Sequence, residues 1–205
     1  MRKVISLFQR NYGGDRLVRD ELVPGAEWVA AGEGVATVKW DGTACLWQGG
    51  RLWRRYDAKK GKQPPPEFVP AQDPDPITGH HPGWVPCKEG DPADRWHLAA
   101  LQAPNGYAYA MVEGATYEAV GLHHQGNPYG FPADILIPHG KRELPDAPRD
   151  FEGLRAYLKS VTIPGPGGRP LPVEGIVWWH DDGRLVKIKA KDFGHPWPPR
   201  TAETR

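Results

Sequence analysis

The sequence predicts an α+β fold made mainly of short antiparallel strands, on three observations. The first is punctuation: 25 glycines and 23 prolines break the chain into short extended runs, too short for a helical bundle. The second is pairing: strand-like runs follow one another across Asp-Gly and Gly-Gly turns, the signature of hairpins. The third is that only two segments, 95–102 and 150–160, carry a helical pattern. Such strand-rich chains with a few helices belong to the α+β class.

The elements follow in order. A first strand is expected over 3–8, and 16–31 is mixed in charge and weakly periodic. Residues 34–40 read as a strand stopped by the turn Asp41-Gly42. Extended structure resumes over 43–47, turns at Gln48-Gly49-Gly50 and continues over 51–56. The Pro-rich stretch 63–92 reads as an insertion or long surface loop. Within it, 82–86 is too broken by proline for a central strand. Two strands are expected over 106–113 and 115–122 with Gly114 between them, and an apolar run over 134–137 ends at Pro138. Segment 150–160 places Phe151, Leu154, Tyr157 and Leu158 at helical spacing behind Asp150, a good N-cap. A Gly/Pro loop is expected over 164–172, then a hairpin of 174–180 and 184–190 through Asp181-Asp182-Gly183. The tail from 199 onward is polar.

Composition narrows the function classes. Lys and Arg number 26 against 25 Asp and Glu, a net charge of +1, so nucleic-acid affinity must come from local clusters. Two cysteines, Cys45 and Cys87, make neither a disulfide scaffold nor a metal-type pair. With no signal-peptide pattern and no run long enough to span a bilayer, the expectation is a cytoplasmic protein with no membrane partner. His80, His81, Cys87 and His97 fit no common zinc spacing and read as surface side chains. His123 and His124 read as loop residues.

Several residues suit phosphoryl chemistry. Lys39 closes a strand before a turn, where its amine can act as a nucleophile once deprotonated; Asp41 and Gly42 complete Lys-x-Asp-Gly, the glycine allowing close backbone approach to a ligand. Lys187 and Lys189, two apart on a strand, share a face and repel unless an anion lies between them. A triphosphate is such an anion. Glu174 heads an apolar strand and Glu118 sits in another; one carboxylate suits a magnesium ion, the other a ribose hydroxyl. Each feature taken singly also fits a solvated strand face.

In order, Lys39-Trp40-Asp41-Gly42, the Arg54-Arg55 strand, Tyr117-Glu118, Glu174-Gly175-Ile176-Val177 and Lys187-Ile188-Lys189 resemble the motif series of the covalent nucleotidyltransferases. The resemblance runs from about residue 32 to residue 198. Gln125-Gly126-Asn127-Pro128-Tyr129, Ile137-Pro138-His139-Gly140 and the closing Asp192-Phe193-Gly194-His195-Pro196-Trp197-Pro198 look most like the RNA-ligase branch. They are similar to the 5′-to-3′ RNA ligases once catalogued as a domain of unknown function. DNA ligases and capping enzymes usually carry Arg two residues after the motif glycine, where this chain has Ala44.

The resemblance implies a nucleotidyltransferase (ATP-grasp-like) domain over 1–198, antiparallel sheets flanked by helices, without an added OB domain. It implies an ATP-dependent RNA ligase that uses magnesium, or manganese, and joins an RNA 5′-phosphate to a 3′-hydroxyl. Lys39 would carry AMP. Lys187 and Lys189 would hold the α-phosphate, and Glu174 would assist the metal. Glu118 would contact the ribose. Arg54 would contact phosphate, with Arg55 as second choice, and Ile176 would wall the adenine opposite residues of 135–139. RNA contacts would come from Arg51, Arg54, Arg55, Lys59, Lys60 and Lys62 beside Trp53 and Tyr56. The alternatives are a DNA nick-sealing enzyme, or a nucleotide-binding module of the same fold without turnover.

Overall fold

Alternation of apolar and polar residues along short strands forces each sheet to bury one face, and a computed structural model, describing residues 4–103 and 110–199, shows where. The chain divides into two compact units. One comprises Asp41–His139; the other contains Val4–Trp40 and the chain from Gly140 onward. The architecture is α+β, its sheets mostly antiparallel and its helices few.

The first unit holds a six-stranded antiparallel sheet. Its order is Ile135–Pro138, Thr116–Val120, Thr43–Gln48, Arg51–Ala58, His81–Pro86 and Val69–Pro70. Cys45, Leu52, Tyr117, Ala119 and Leu136 are buried on one face, with Ala100 of the helix Arg95–Leu101. Burying each large apolar side chain there stabilises the unit by about 1.5–3 kcal/mol.

The stretch 82–86 is a strand, contrary to the sequence expectation, and pairs along its length with Arg51–Ala58. Its prolines are tolerated because of parity. Cys87 N–H donates to Leu52 of the inner neighbour, whereas the Pro82 carbonyl accepts from Ala71 on the outer side. Pro82 and Pro86 therefore lack only N–H groups directed to the outer edge, where the neighbour Val69–Pro70 is two residues long. Of the two strands expected over 106–122, one forms as Thr116–Val120; part of the other lies outside the described residues, and 110–113 is not strand.

Gly42 immediately precedes the strand Thr43–Gln48. A Cβ there would lie 2.1 Å from the Ala119 carbonyl oxygen. The chain's own backbone thus requires glycine at this position. Gly42→Ala is expected to cost about 1–3 kcal/mol, measured as a lower midpoint in urea unfolding.

The second unit holds a four-stranded sheet in the order Ile5–Ser6, Leu185–Lys189, Gly175–Trp179, Val35–Lys39. Its first pairing is parallel and the others are antiparallel. Ala36, Val38, Ile176, Trp178, Val186 and Ile188 are all buried and, by alternation, share one face. Phe8, Phe151 and Phe193 form an edge-to-face cluster with centroids 5.1–6.4 Å apart. The expected helix appears as Phe151–Tyr157, its first turn capped by Asp150, whose carboxylate accepts from Gly153 N–H at 2.8 Å. The first strand is split into Ile5–Ser6 and Phe8–Arg10, and Val18–Leu22 pairs with the latter. The Gly/Pro loop is a small hairpin, Thr162–Pro164 with Pro170–Pro172. The expected hairpin over 174–190 forms as Gly175–Trp179 with Leu185–Lys189.

Candidate active site

Lys39 is the last residue of the Val35–Lys39 strand. In register, it lies opposite Gly175, which lies opposite Lys189 on its other side. One row across three strands therefore reads Lys39–Gly175–Lys189, and the next reads Thr37–Val177–Lys187. Alternation puts all three lysines on one sheet face, opposite the apolar one. A side chain at 175 would fill the middle of the row, and its Cβ would lie 2.2 Å from the Ile188 carbonyl oxygen. Glycine lets the strands close at this point.

Glu174 immediately precedes that glycine and is 3% exposed. Lys39 Nζ donates to its Oε2 at 2.5 Å, and Lys189 Nζ lies 3.9 Å from Oε1. A carboxylate this buried is held by its cations. Lys39, Lys187, Lys189 and Glu174 together carry an excess of positive charge, suited to an oxyanion. Burial is the first cause that draws the Lys189 amine down to about 8; the nearby Lys191 and Lys39 lower it further and Glu174 opposes them.

Ile176, expected as a wall of the adenine slot, is not on this face. It is wholly buried among Val38 and Ile188. Val177, half-buried, stands in the Lys187 row instead. The one-residue difference follows from strand parity and was available in the Lys187/Lys189 spacing.

The Lys-x-Asp-Gly run is divided between the units: Lys39 ends a strand of one, and Asp41-Gly42 open the sheet of the other. In the first unit, Asp41 N–H donates to the Tyr129 hydroxyl at 2.6 Å. Gln125 Nε2 donates to the Gly42 carbonyl at 3.4 Å. Glu118 pairs with His139, Oε2 to Nε2 2.7 Å, and the other ring nitrogen of His139 lies 3.0 Å from Thr116 Oγ1. His139 thereby orients Glu118, a role the sequence reading did not give it. Ile135, Leu136 and Ile137, from the expected second adenine wall, are buried.

Arg54 lies on the helix-facing side of this sheet, since it pairs with buried Cys45. Its Nε donates to Asp94 at 2.5 Å, beside the start of the helix Arg95–Leu101. The expected phosphate contact is thus engaged in an internal ion pair. Arg55, one residue on, projects from the Glu118 face, with its guanidinium 5.0 Å from the Trp84 ring centroid. Burial lowers its pKa, opposed by Asp57. Arg51 and Trp53 share this parity, and Arg51 lies 4.6 Å from the Trp53 ring centroid.

Among the described residues, no three His, Cys, Asp or Glu side chains are grouped to hold a metal ion. Of the three histidines expected at the surface, His80, His81 and His97, the last is buried against His124. Among the described residues no helix is long and apolar enough to cross a membrane.

Comparison with known proteins agrees with the motif reading. The family model described as RNA ligase 1 matches residues 108–204. The chain is similar to RNA ligase 1 of Danio rerio, 31% identical over 145 residues. That match covers 58% of this chain and 42% of the zebrafish protein, so the chain spans less than half of that relative. RNA ligase 1 of Rattus norvegicus and of Mus musculus are each 27% identical, with 80% of this chain and 68% of each relative covered. Motifs, matched family model and relatives point the same way: the chain is similar to the RNA ligase 1 proteins, the family model matching just under half of it.

Proposed function

We propose that the chain is an ATP-dependent RNA ligase of the covalent nucleotidyltransferase type, working through a lysyl-AMP intermediate. The observation that carries this reading is the in-register row Lys39–Gly175–Lys189 with Glu174 buried against both lysines. Ligase activity named for the relatives supports it.

In the proposed sequence, Lys39 Nζ attacks the α-phosphorus of ATP. A P–N bond forms, the bond to pyrophosphate breaks, and Glu174 takes up the amine proton. An RNA 5′-phosphate oxygen then attacks the same phosphorus and releases Lys39. Finally a 3′-hydroxyl attacks the RNA 5′-phosphorus, the phosphodiester forms and AMP departs. Lys187 and Lys189 offset the α-phosphate charge. Glu118, held by His139, accepts from the ribose, Arg55 takes the phosphate role expected of Arg54, and Val177 takes the adenine contact expected of Ile176. Glu174 offers hard carboxylate oxygens that would hold magnesium or manganese; such an ion, when bound, would offset charge on the pyrophosphate. The Ala44 position favours RNA over DNA ends.

The test is incubation with magnesium and ATP labelled at the α-phosphate. Covalent label that survives denaturation and alkali but is released by acid, as a P–N bond requires, is expected on the chain, mapped to the peptide bearing Lys39. No covalent label, or label retained instead from a parallel incubation with γ-labelled ATP, refutes the reading.

A pH dependence follows from Lys189. Its amine is a cation below about 8 and neutral above it. The folded value lies below the unfolded one, so charge in the folded state is lost first as pH rises. Anion binding by the free protein therefore weakens above about pH 8, and kcat/KM for ATP is expected to decline there. Lys189→Arg keeps its charge and is expected to move that decline to higher pH in a pH–rate profile.

A further inference from the structure

The first unit carries a second assembly that the proposed chemistry does not use. His123 and Trp96 are stacked face to face, with ring centroids 3.4 Å apart and planes within 2°. The Arg95 guanidinium lies 4.2 Å from the Trp96 ring centroid. A ring at van der Waals distance leaves no room for a guanidinium on the same side, so Arg95 covers the opposite face. The result is a layered pile of Arg95, Trp96 and His123.

The pile is fixed from behind. Buried Asp134 accepts the His123 backbone N–H at 2.9 Å with one oxygen, and its other oxygen lies 2.6 Å from His123 Nδ1. Ring position and plane are therefore set before anything binds, which removes an ordering cost from binding. The outer side is open: the His123 side chain is 38% exposed, and Arg95 is exposed. The same loop touches the Asp41-Gly42 turn through Tyr129 and Gln125.

We propose that this pile is a stacking platform for an unpaired base of the RNA strand, which adds one more layer on His123 or Arg95. The proposal rests on the RNA-ligase reading for its occupant. Three features favour a nucleic-acid base over an apolar protein side chain. The exposed layers are a flat polar ring and a planar cation, the spacing is that of base stacking, and the cation complements a phosphate chain.

The experiment is direct binding of a short, 5′-phosphorylated, fluorescently labelled single-stranded RNA to the full chain, read by polarisation. His123→Ala is expected to weaken binding about tenfold, and Arg95→Ala several-fold. His123→Phe restores a flat ring and is expected to regain most of the affinity. Lysyl-AMP formation by the same variants is expected to be unchanged. Wild-type protein that does not bind the RNA, or His123→Ala binding within twofold of it, overturns the proposal. So does a parallel loss of RNA binding and AMP transfer, which assigns the pile to nucleotide binding or folding. Absence of AMP transfer in the wild type, with RNA binding still dependent on His123, strikes the ligase reading and leaves the platform standing.

Discussion

Lys39→Arg is expected to fold like the parent chain and to accept essentially no AMP, with a loss of about 10³-fold or more. The variant separates two jobs of one side chain. As a cation, Lys39 holds the buried Glu174 carboxylate, and arginine can hold it too. As a nucleophile it must present a lone pair, and a guanidinium remains protonated. Lys39→Ala loses both jobs. It removes the nearer of the two lysines beside Glu174, Lys189 being 3.9 Å away, so its lost labelling comes with lost stability. The decisive measurements are alkali-stable, acid-labile label from ATP and the thermal midpoint of both variants. Wild-type labelling of Lys39→Arg would place the adenylylated amine elsewhere in the chain.

The second unit was legible in the sequence to a useful depth, because its evidence is local. The turn Asp181-Asp182-Gly183 fixed which strands pair, and alternate spacing fixed which lysines share a face. Adding the strand Val35–Lys39 beside them required only that the Lys39 row align with Gly175. A motif read as letters alone does not carry this parity. Parity makes 175 and 177 companions of the lysines and sends 176 to the core.

The first unit was less legible because its determinants are nonlocal. Nothing near 82–86 announces a strand; its identity depends on partners 25 to 33 positions away and on an outer neighbour two residues long. The need for glycine at 42 against Ala119 is invisible without the sheet. His139 and Glu118 meet across adjacent strands, 21 positions apart. The choice between Arg54 and Arg55 likewise depends on which sheet face carries the helix.

That choice yields the other large prediction. Arg54→Ala is expected to cost about 3 kcal/mol, because Asp94 is 2% exposed and loses its cation. In a chain of this length that cost lowers Tm by roughly 6–12 °C. The loss is not greater because Asp94 keeps the Lys88 backbone N–H, 3.0 Å away. Replacing both partners, as in Arg54→Met with Asp94→Leu, is expected to recover much of the stability, since no charge is then left buried without a partner. Arg55→Ala has the opposite profile. It loses a guanidinium packed on Trp84 at the Glu118 face, not an internal ion pair with Asp94, so its Tm is expected to fall by no more than about 4 °C. Its AMP transfer or RNA joining is expected to fall about 10- to 100-fold. Thermal melts and rate measurements on the three proteins decide the matter. If Arg54→Ala melts with the parent while losing the reaction, Arg54 contacts phosphate after all and its pairing with Asp94 is not what holds it.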